Sequence, residues 1–286
     1  MKKNAKMSKM TLRKQLAMIP GYVILLLWVA FSFVLIGWIV IASLSTTPEI
    51  FQNKLLSTGV HFENYIKTFI NNNVGSYLWN SLVYTLACEV IIVVVAAPAA
   101  YAMSRFRFHG NKIIQLAFIA GLGIPVSMLV MPLFMTASRM NLVNNRAAII
   151  IIYCGVILPF TSYFLMTFFR TLPLEFEEAA AIDGCSQVGT FWRIMFPLAQ
   201  PGVVTVAIFN FITVWNEYFV SLIFANDMSR RPIAVGLFSM VQSMQYTGDW
   251  AGMFAAVIIV FLPTFILYLA LSDKIIAGIT SGGVKG

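Results

Sequence analysis

Six apolar blocks, each about as long as a bilayer is thick, limit what this chain can fold into. They cover residues 20–43, 79–103, 113–137, 147–169, 202–225 and 250–271. A helix needs roughly 20 predominantly apolar residues to cross the hydrocarbon core, where it must satisfy its own backbone. The first block carries no charge. It exceeds the roughly 7–15 residues of a secretory h-region, so it predicts an uncleaved span. The second block contains Glu89 and Pro98, the third Gly121, Gly123, Pro125 and Pro132, and the fourth Gly155 and Pro159. Membrane helices tolerate such breaks where neighbours or water satisfy the freed backbone groups. Of the 286 residues only 10% are charged, against about 25% in a soluble domain. That excludes a soluble enzyme, a disordered chain and a nucleic-acid-binding domain. The expected fold is an all-α polytopic membrane protein with six transmembrane helices in the lipid bilayer.

Charge orients those helices. With the amino terminus inside, 13 of the 19 Lys and Arg residues fall on the inner side and six on the outer. By the positive-inside rule both termini are then cytoplasmic. Lys2, Lys3, Lys6, Lys9, Arg13 and Lys14 precede the first block with no acid among them. Abutting a span, they read as a topology anchor rather than a nucleic-acid site. The organisation expected is a basic segment 1–19, a transmembrane domain 20–276 and a cytoplasmic tail 277–286. Cys88, Cys154 and Cys185 have neither metal-site nor disulfide-framework spacing and read as small packing residues.

The inner connection between spans four and five, about 170–199, is longer than a minimal loop. Pro173 can open a helix, and Glu175, Glu177 and Glu178 put negative charge at its positive end. Ala179, Ala180 and Ala181 are strong helix formers, and Gly184 is a natural stop. Ser186 can cap a second helix, on which Val188, Phe191, Trp192 and Met195 form one apolar stripe before Pro197 ends it. The pattern predicts a helix–turn–helix. An amphipathic hairpin lying on the membrane has the same pattern, but anionic lipid would repel the acid-rich first arm, which favours a protein partner.

Glu178-Ala-Ala, three residues, Gly184, nine residues, then Ile194-Met-Phe-Pro197 closely resembles the EAA signature of permease subunits of binding-protein-dependent ABC importers. The one departure is Phe196, where leucine is usual. Glu63-Asn-Tyr65, Asn80-Ser-Leu82, Ala100-Tyr-Ala-Met-Ser-Arg-Phe106, Trp215-Asn-Glu-Tyr218 and the stretch from Ala277 to Gly286 narrow the resemblance to carbohydrate importers of the MalG-like type. In the tail, Gly283 replaces the usual alanine.

The resemblance implies a bacterial cytoplasmic (inner) membrane protein paired with a paralogous permease in a pseudo-twofold heterodimer around a sugar path. It implies two cytoplasmic ATP-binding subunits, which hold ATP and magnesium, and an extracytoplasmic solute-binding protein. Glu178, Ala179, Ala180, Asp183, Gly184, Ile194 and Pro197 would couple to the ATPase, and Gly283, Lys285 and Gly286 would reach it from the tail. No cofactor is expected in this chain. It has no G-x-x-x-x-G-K-[ST] loop, and Gly110-Asn-Lys112 is the nearest approach. ATP chemistry therefore belongs to another subunit, and this chain is not expected to be an enzyme.

Glu89 and Glu217 lie at membrane depth, where an acid costs roughly 2.5–3.5 kcal/mol on insertion scales. Each can serve a relay or substrate contact, or can fix helix packing. Beside Trp215, Asn216 and Tyr218, Glu217 suits an aromatic-polar sugar contact, whereas Glu89 is expected to pair with another helix. Tyr153 and Asn210 are further candidates for lining the pathway. In the outer loop 226–249, Gln242, Gln245 and Tyr246 suit contact with the solute-binding protein; an ordinary solvated loop explains them equally. A stand-alone ion-coupled secondary transporter would be expected to show repeated halves with paired broken helices. A membrane enzyme would need a nucleophile–base or metal constellation, yet the only histidines, His61 and His109, fall in loops. Neither alternative gives the segment 178–197 a purpose.

Overall fold

The computed structural model describes the backbone of residues 2–283 and the side chains of 18–243 and 246–272. The described chain is helical throughout, with no strand among the described residues. In order the helices are α1 (Lys2–Ser43), α2 (Thr47–Phe51), α3 (Glu63–Asn71), α4 (Val74–Arg105), α5 (Asn111–Leu122), α6 (Val126–Arg139) and α7 (Arg146–Thr171). They continue as α8 (Glu175–Ile182), α9 (Gln187–Thr190), α10 (Phe196–Leu198), α11 (Gln200–Trp215), α12 (Phe219–Phe224), α13 (Ile233–Thr247) and α14 (Trp250–Gly283). A π turn, Phe191–Met195, joins α9 to α10, and a 3₁₀ turn, Met228–Arg230, precedes α13.

Four helices are long and apolar enough to cross a membrane, over Met18–Ser43, Val74–Arg105, Arg146–Thr171 and Trp250–Ser272. The number rises to six if each of two bent pairs is one span. Pro98, Pro159 and Pro263 all lie inside helices, in keeping with membrane helices.

Three segments depart from plain spans or loops. The block 113–137 bends within its expected Gly and Pro interruptions, where α5 and α6 meet at 103°. Gly123 ends α5, and Pro125, which lacks an N–H and keeps the residue before it out of the helical region, opens α6. The block 202–225 is also interrupted, because Asn216, Glu217 and Tyr218 separate α11 from α12. Its helix extends the other way, through a 72° bend, into Gln187–Leu198. The loop 226–249 is mostly the 15-residue helix α13.

The chain divides into two compact units, residues 1–68 with 244–258, and residues 69–243 with 259–286. In the first, Thr47 Oγ1 accepts from the Ala251 N–H at 3.3 Å, and the buried Thr68 hydroxyl donates to the Gly252 carbonyl at 3.1 Å. Glu49 organises the connection after α1. Its carboxylate accepts the N–H of Thr46 at 2.8 Å and of Thr58 at 2.5 Å, and the hydroxyls of Ser57 and Thr58, both at 2.8 Å. The Thr46 contact, with support from Ser57 and Thr58, holds this carboxyl well below the usual carboxylate range against the opposing effect of burial.

In the second unit α4 lies against α7, and two apolar clusters form along them. Tyr84, Cys88 and Ile92 of α4 meet Ile149, Tyr153 and Ile157 of α7, with Val214 of α11 and Phe224 of α12. Nearer the other end, Ala97, Ala100 and Tyr101 meet Leu165, Met166 and Phe169, together with Phe191 and Met195 of the π turn. Close packing rather than the hydrophobic effect drives such contacts in lipid, and small residues permit it. A Cβ on Gly236 would fall 2.2 Å from the Tyr77 ring, and one on Gly202 2.5 Å from the Phe168 ring. These two glycines set α13 on α4 and α11 on α7.

Candidate functional site

The segment 175–198 is built by local chemistry. Three acids occupy the first turn of α8, where they favour the positive helix end. At its other end Gly184 adopts φ +72°, the Cys185 N–H reaches the Ala180 carbonyl at 2.9 Å, and the Gly184 N–H reaches that of Ala181 at 3.1 Å. This is a Schellman closure, and its left-handed residue favours glycine. Ser186 Oγ then caps α9 by accepting the Gly189 N–H at 3.2 Å. Glu178, Ala179, Asp183, Gly184 and Pro197 are exposed, Ile194 is half-buried and Ala180 is buried.

The expected apolar stripe does not act as one face. Phe191 and Met195 are buried, whereas Val188 is 70% and Trp192 45% exposed. The π turn over 191–195 breaks the helical register, so the four residues are not equally buried. Phe191 stacks into a ring cluster, 5.1 Å from Tyr101 and 6.2 Å from Phe169 between centroids. Phe196, the departure from the signature, joins that cluster at 5.8 Å from Phe191 and 5.3 Å from Trp192. A second tie escaped the sequence reading. Arg105 Nε lies 2.7 Å from Glu177 Oε1 as an ion pair not aligned for a hydrogen bond, and Arg105 Nη2 donates to the Leu172 carbonyl at 2.6 Å. Burial pushes the Glu177 carboxyl up, and the Arg105 guanidinium partly offsets this.

The membrane-depth candidates separate into inner supports and exposed groups. Glu217 accepts the Val220 N–H at 2.8 Å and the Ser221 N–H at 3.3 Å, so its carboxylate caps α12. The Tyr153 hydroxyl donates to Glu217 at 3.0 Å and also pairs with the Ser221 hydroxyl. Tyr153 and Asn210, expected to line the pathway, are both buried inside the chain. The Asn210 amide donates to the Thr161 hydroxyl at 3.0 Å and so joins α11 to α7. Asn216 and Tyr218 are exposed at the helix break. Glu89, expected to pair with another helix, has no hydrogen bond to either buried carboxylate oxygen among the described residues, although the Asn210 amide stands beside it. Cys88 and Cys154 face each other as free thiols, 3.3 Å apart.

At the opposite end of α4, three side chains hold the turn before α13. Asn80 Nδ2 donates to the carbonyls of Ser229 at 2.8 Å and Arg231 at 3.0 Å, and the Tyr84 hydroxyl to that of Arg230 at 2.8 Å. Ser81 Oγ accepts the buried Ile233 N–H at 2.8 Å. Arg146 Nη2 donates to Asn80 Oδ1 at 2.9 Å. Asn80-Ser81, noted only as a motif, is therefore the anchor of this turn. On α13, Gln242 and Tyr246 are exposed, the latter by 90%. The Gln245 side chain, Lys285 and Gly286 lie outside the described residues, and Gly283 is the last residue of α14.

An all-helical chain with four to six candidate spans, polar side chains tying helix ends and an exposed acidic hairpin is a multi-pass membrane protein. Residues 92–279 match the family described as binding-protein-dependent transport system inner membrane component. The chain is 32% identical over 263 residues to the diacetylchitobiose uptake system permease protein NgcG of Streptomyces coelicolor, covering 92% of this chain and 87% of that protein. It is 33% identical over 258 residues to the trehalose transport system permease protein SugB of Mycobacterium tuberculosis, covering 90% and 94%. The fold is that of a chain in a crystal structure of a bacterial ABC transporter involved in the import of the acidic polysaccharide alginate. The TM-score is 0.80 at 22% identity, over 89% of this chain and 95% of that one. The chain thus belongs to the binding-protein-dependent transport system inner membrane component family, and it is a permease subunit of an ABC importer.

Proposed function

We propose that this permease imports a sugar or oligosaccharide across a bacterial cytoplasmic membrane. In this reading it has six spans, with α5–α6 as the third and α11 to α12 completing the fifth, and both termini are cytoplasmic. A paralogous permease forms the other half of the path, two ATP-binding subunits dock on the cytoplasmic side, and an extracytoplasmic solute-binding protein delivers the sugar. ATP and magnesium belong to the ATP-binding subunits, and this chain contributes no catalytic residue. The substrate class rests on relatives named for diacetylchitobiose and trehalose uptake.

The observation that carries the coupling role is the Glu178–Pro197 signature folded as an exposed hairpin whose buried side joins the spans. Glu178, Ala179, Asp183, Gly184 and Pro197 present the surface for the ATPase, and Ala180 and Ile194 seat it. Displacement of the hairpin passes through Phe191 to Tyr101 and Phe169, and through Glu177 to Arg105, and so reaches α4 and α7. Because interiors are close-packed, such a cluster moves as a body rather than absorbing the push. Gly283, Lys285 and Gly286 add a second contact. Along the path, Asn216 and Tyr218 meet the sugar at the break in the fifth span. Glu217 positions them by capping α12, with Tyr153 and Asn210 as supports behind. Gln242, Gln245 and Tyr246 of α13 face the solute-binding protein.

Ion-coupled transport without an ATPase is not favoured, since Glu217 is committed to helix capping and no partner hairpin would be needed. The test is purification with the neighbouring subunits and replacement of Glu178 by Lys or Gly184 by Val. Loss of the bound ATPase, or of transport-stimulated hydrolysis, is expected. Undiminished sugar uptake with no ATPase present would refute the reading. A panel of sugars tested against the cognate solute-binding protein checks the substrate class.

A further inference from the structure

Between α4 and α5 the chain forms a cavity of about 960 Å³ whose wall includes Arg107, His109, Lys112 and Arg170. The positive-inside rule accounts for basic residues near a span end. It does not account for their convergence on one concavity. Nor are their charges consumed within the chain. Among the described residues the ion pairs are His61 with Glu63 and Arg105 with Glu177, so Arg107, Lys112 and Arg170 meet no carboxylate. The wall is also built rather than fortuitous. Asn111 Nδ2 closes onto the carbonyls of Met103 at 3.1 Å and Phe106 at 2.7 Å, fixing the turn that carries Arg107 and His109. Gln115 donates to the Met103 carbonyl at 2.9 Å, while its Oε1 accepts from Arg170 Nη2 at 2.8 Å and aims that guanidinium.

A second, apolar hollow of about 410 Å³ adjoins this cavity at Ile113 and lies along α5 toward Pro159 of α7. Ile113 lines both, and the second is otherwise Ile114, Ala117, Phe118 and Pro159. A cationic cup adjoining an apolar groove at a span end matches one molecule with an anionic head and a hydrocarbon tail. Charge alone would suit a free phosphate equally; the groove selects the lipid.

We propose that this composite site holds an anionic phospholipid, its phosphate among Arg107, Lys112 and Arg170 and one acyl chain in the groove between α5 and Pro159. The orientation proposed above decides only which leaflet supplies it. Anionic lipid attracts such juxtamembrane cations strongly, by about fivefold in affinity for each one.

The experiment uses the assembled complex, stripped of lipid in detergent and titrated with phosphatidylglycerol or phosphatidylcholine of identical chains, with bound lipid counted by native mass spectrometry. Phosphatidylglycerol is expected to be retained in preference, and R107Q with K112Q together to weaken it by about 25-fold. A117F, which fills the groove without touching charge, is expected to weaken the lipid but leave inorganic phosphate binding unchanged. Equal retention of both lipids, or no loss in the double variant, overturns the proposal. So does inorganic phosphate competing as tightly as lipid with A117F silent, which would assign a soluble anion. Absence of any lipid from the assembled complex would mean a partner subunit covers the site, and likewise refutes it. ATPase retention, read on the same samples, reports the coupling function separately, so failure of either is distinguishable.

Discussion

Segments 175–198 and 226–236 both connect helices and both meet α4, one at each of its ends, yet they are held in opposite ways. The first is shaped by its own neighbours in sequence: acids at the start of α8, a Schellman closure at Gly184 and the Ser186 cap. The second has a local element in Arg231, which donates to the Ala225 and Asn226 carbonyls, but it leans further on distant residues. Its carbonyls and the Ile233 N–H are satisfied by Asn80, Ser81 and Tyr84, some 150 residues earlier in the chain, and Asn80 is steadied by Arg146. A hairpin that carries its own shape can dock as a unit. A turn shaped by distant side chains must follow α4 whenever that helix moves.

The comparison breaks most sharply at Arg105, whose guanidinium ties the first segment to α4. Replacing Arg105 by Ala strands the partly buried Glu177 and frees the Leu172 carbonyl. A loss of about 3 kcal/mol is expected, the low end for a broken buried pair because Glu177 keeps some solvent. The denaturation midpoint of the purified complex measures it, and E177Q should cost clearly less. If R105A costs under about 1 kcal/mol, the segment stands on local chemistry and ring packing alone.

Next in size is Asn80→Ala, which removes the donor to the Ser229 and Arg231 carbonyls and leaves Arg146 only its contact with the Ser229 carbonyl. About 2 kcal/mol is expected. Hydrogen exchange should quicken at 228–236 and stay unchanged at 175–198. Combined with R105A the losses should add, since the two sites share no partner. Faster exchange in both segments would instead show the two ends of α4 to be coupled.

This division also explains what could be read from the sequence. The apolar blocks, the helix–turn–helix and its glycine stop follow from residues within a few positions of one another. The split of the stripe at Phe191 does not, because a π turn changes the register without a composition signal. Asn80 and Arg146 belong to partners that only the fold brings together, and α13 was hidden because polar residues at its end resemble a loop. Glu217 had a local signal: it precedes Val220 and Ser221 at capping distance in sequence, and its membrane depth drew attention to substrate instead. Glu49 was equally legible, since Thr46-Thr-Pro-Glu49 has the spacing of a capping box.

A smaller effect is expected at Gly184. Its φ of +72° lies where a Cβ costs energy, so G184A should lose about 1 kcal/mol, and G184N less. Nothing else crowds a Cβ there, which isolates the backbone contribution. An unchanged midpoint would show the turn to be imposed by docking rather than by its own conformation.

The smallest effect concerns Glu49, which combines both modes: the near Thr46 N–H and the more distant Ser57 and Thr58. Because these donors favour the charged carboxylate, its folded pKa lies below its unfolded value, near 4.3. A depressed acid contributes stability above the unfolded value and loses it as pH falls toward the folded one. The connection 46–63 should therefore loosen below about pH 4, seen as faster proteolysis there while α4 and α7 stay protected. E49Q should remove this pH dependence and raise cleavage at neutral pH. If the connection loosens with acid equally in E49Q and in the wild type, the titrating group is elsewhere. The other acid there, Glu63, is also held below its usual range, chiefly by its hydrogen bond with His61. A double E49Q and E63Q chain separates the two: a response that persists in E49Q and vanishes in the double chain would assign the acid sensitivity to Glu63.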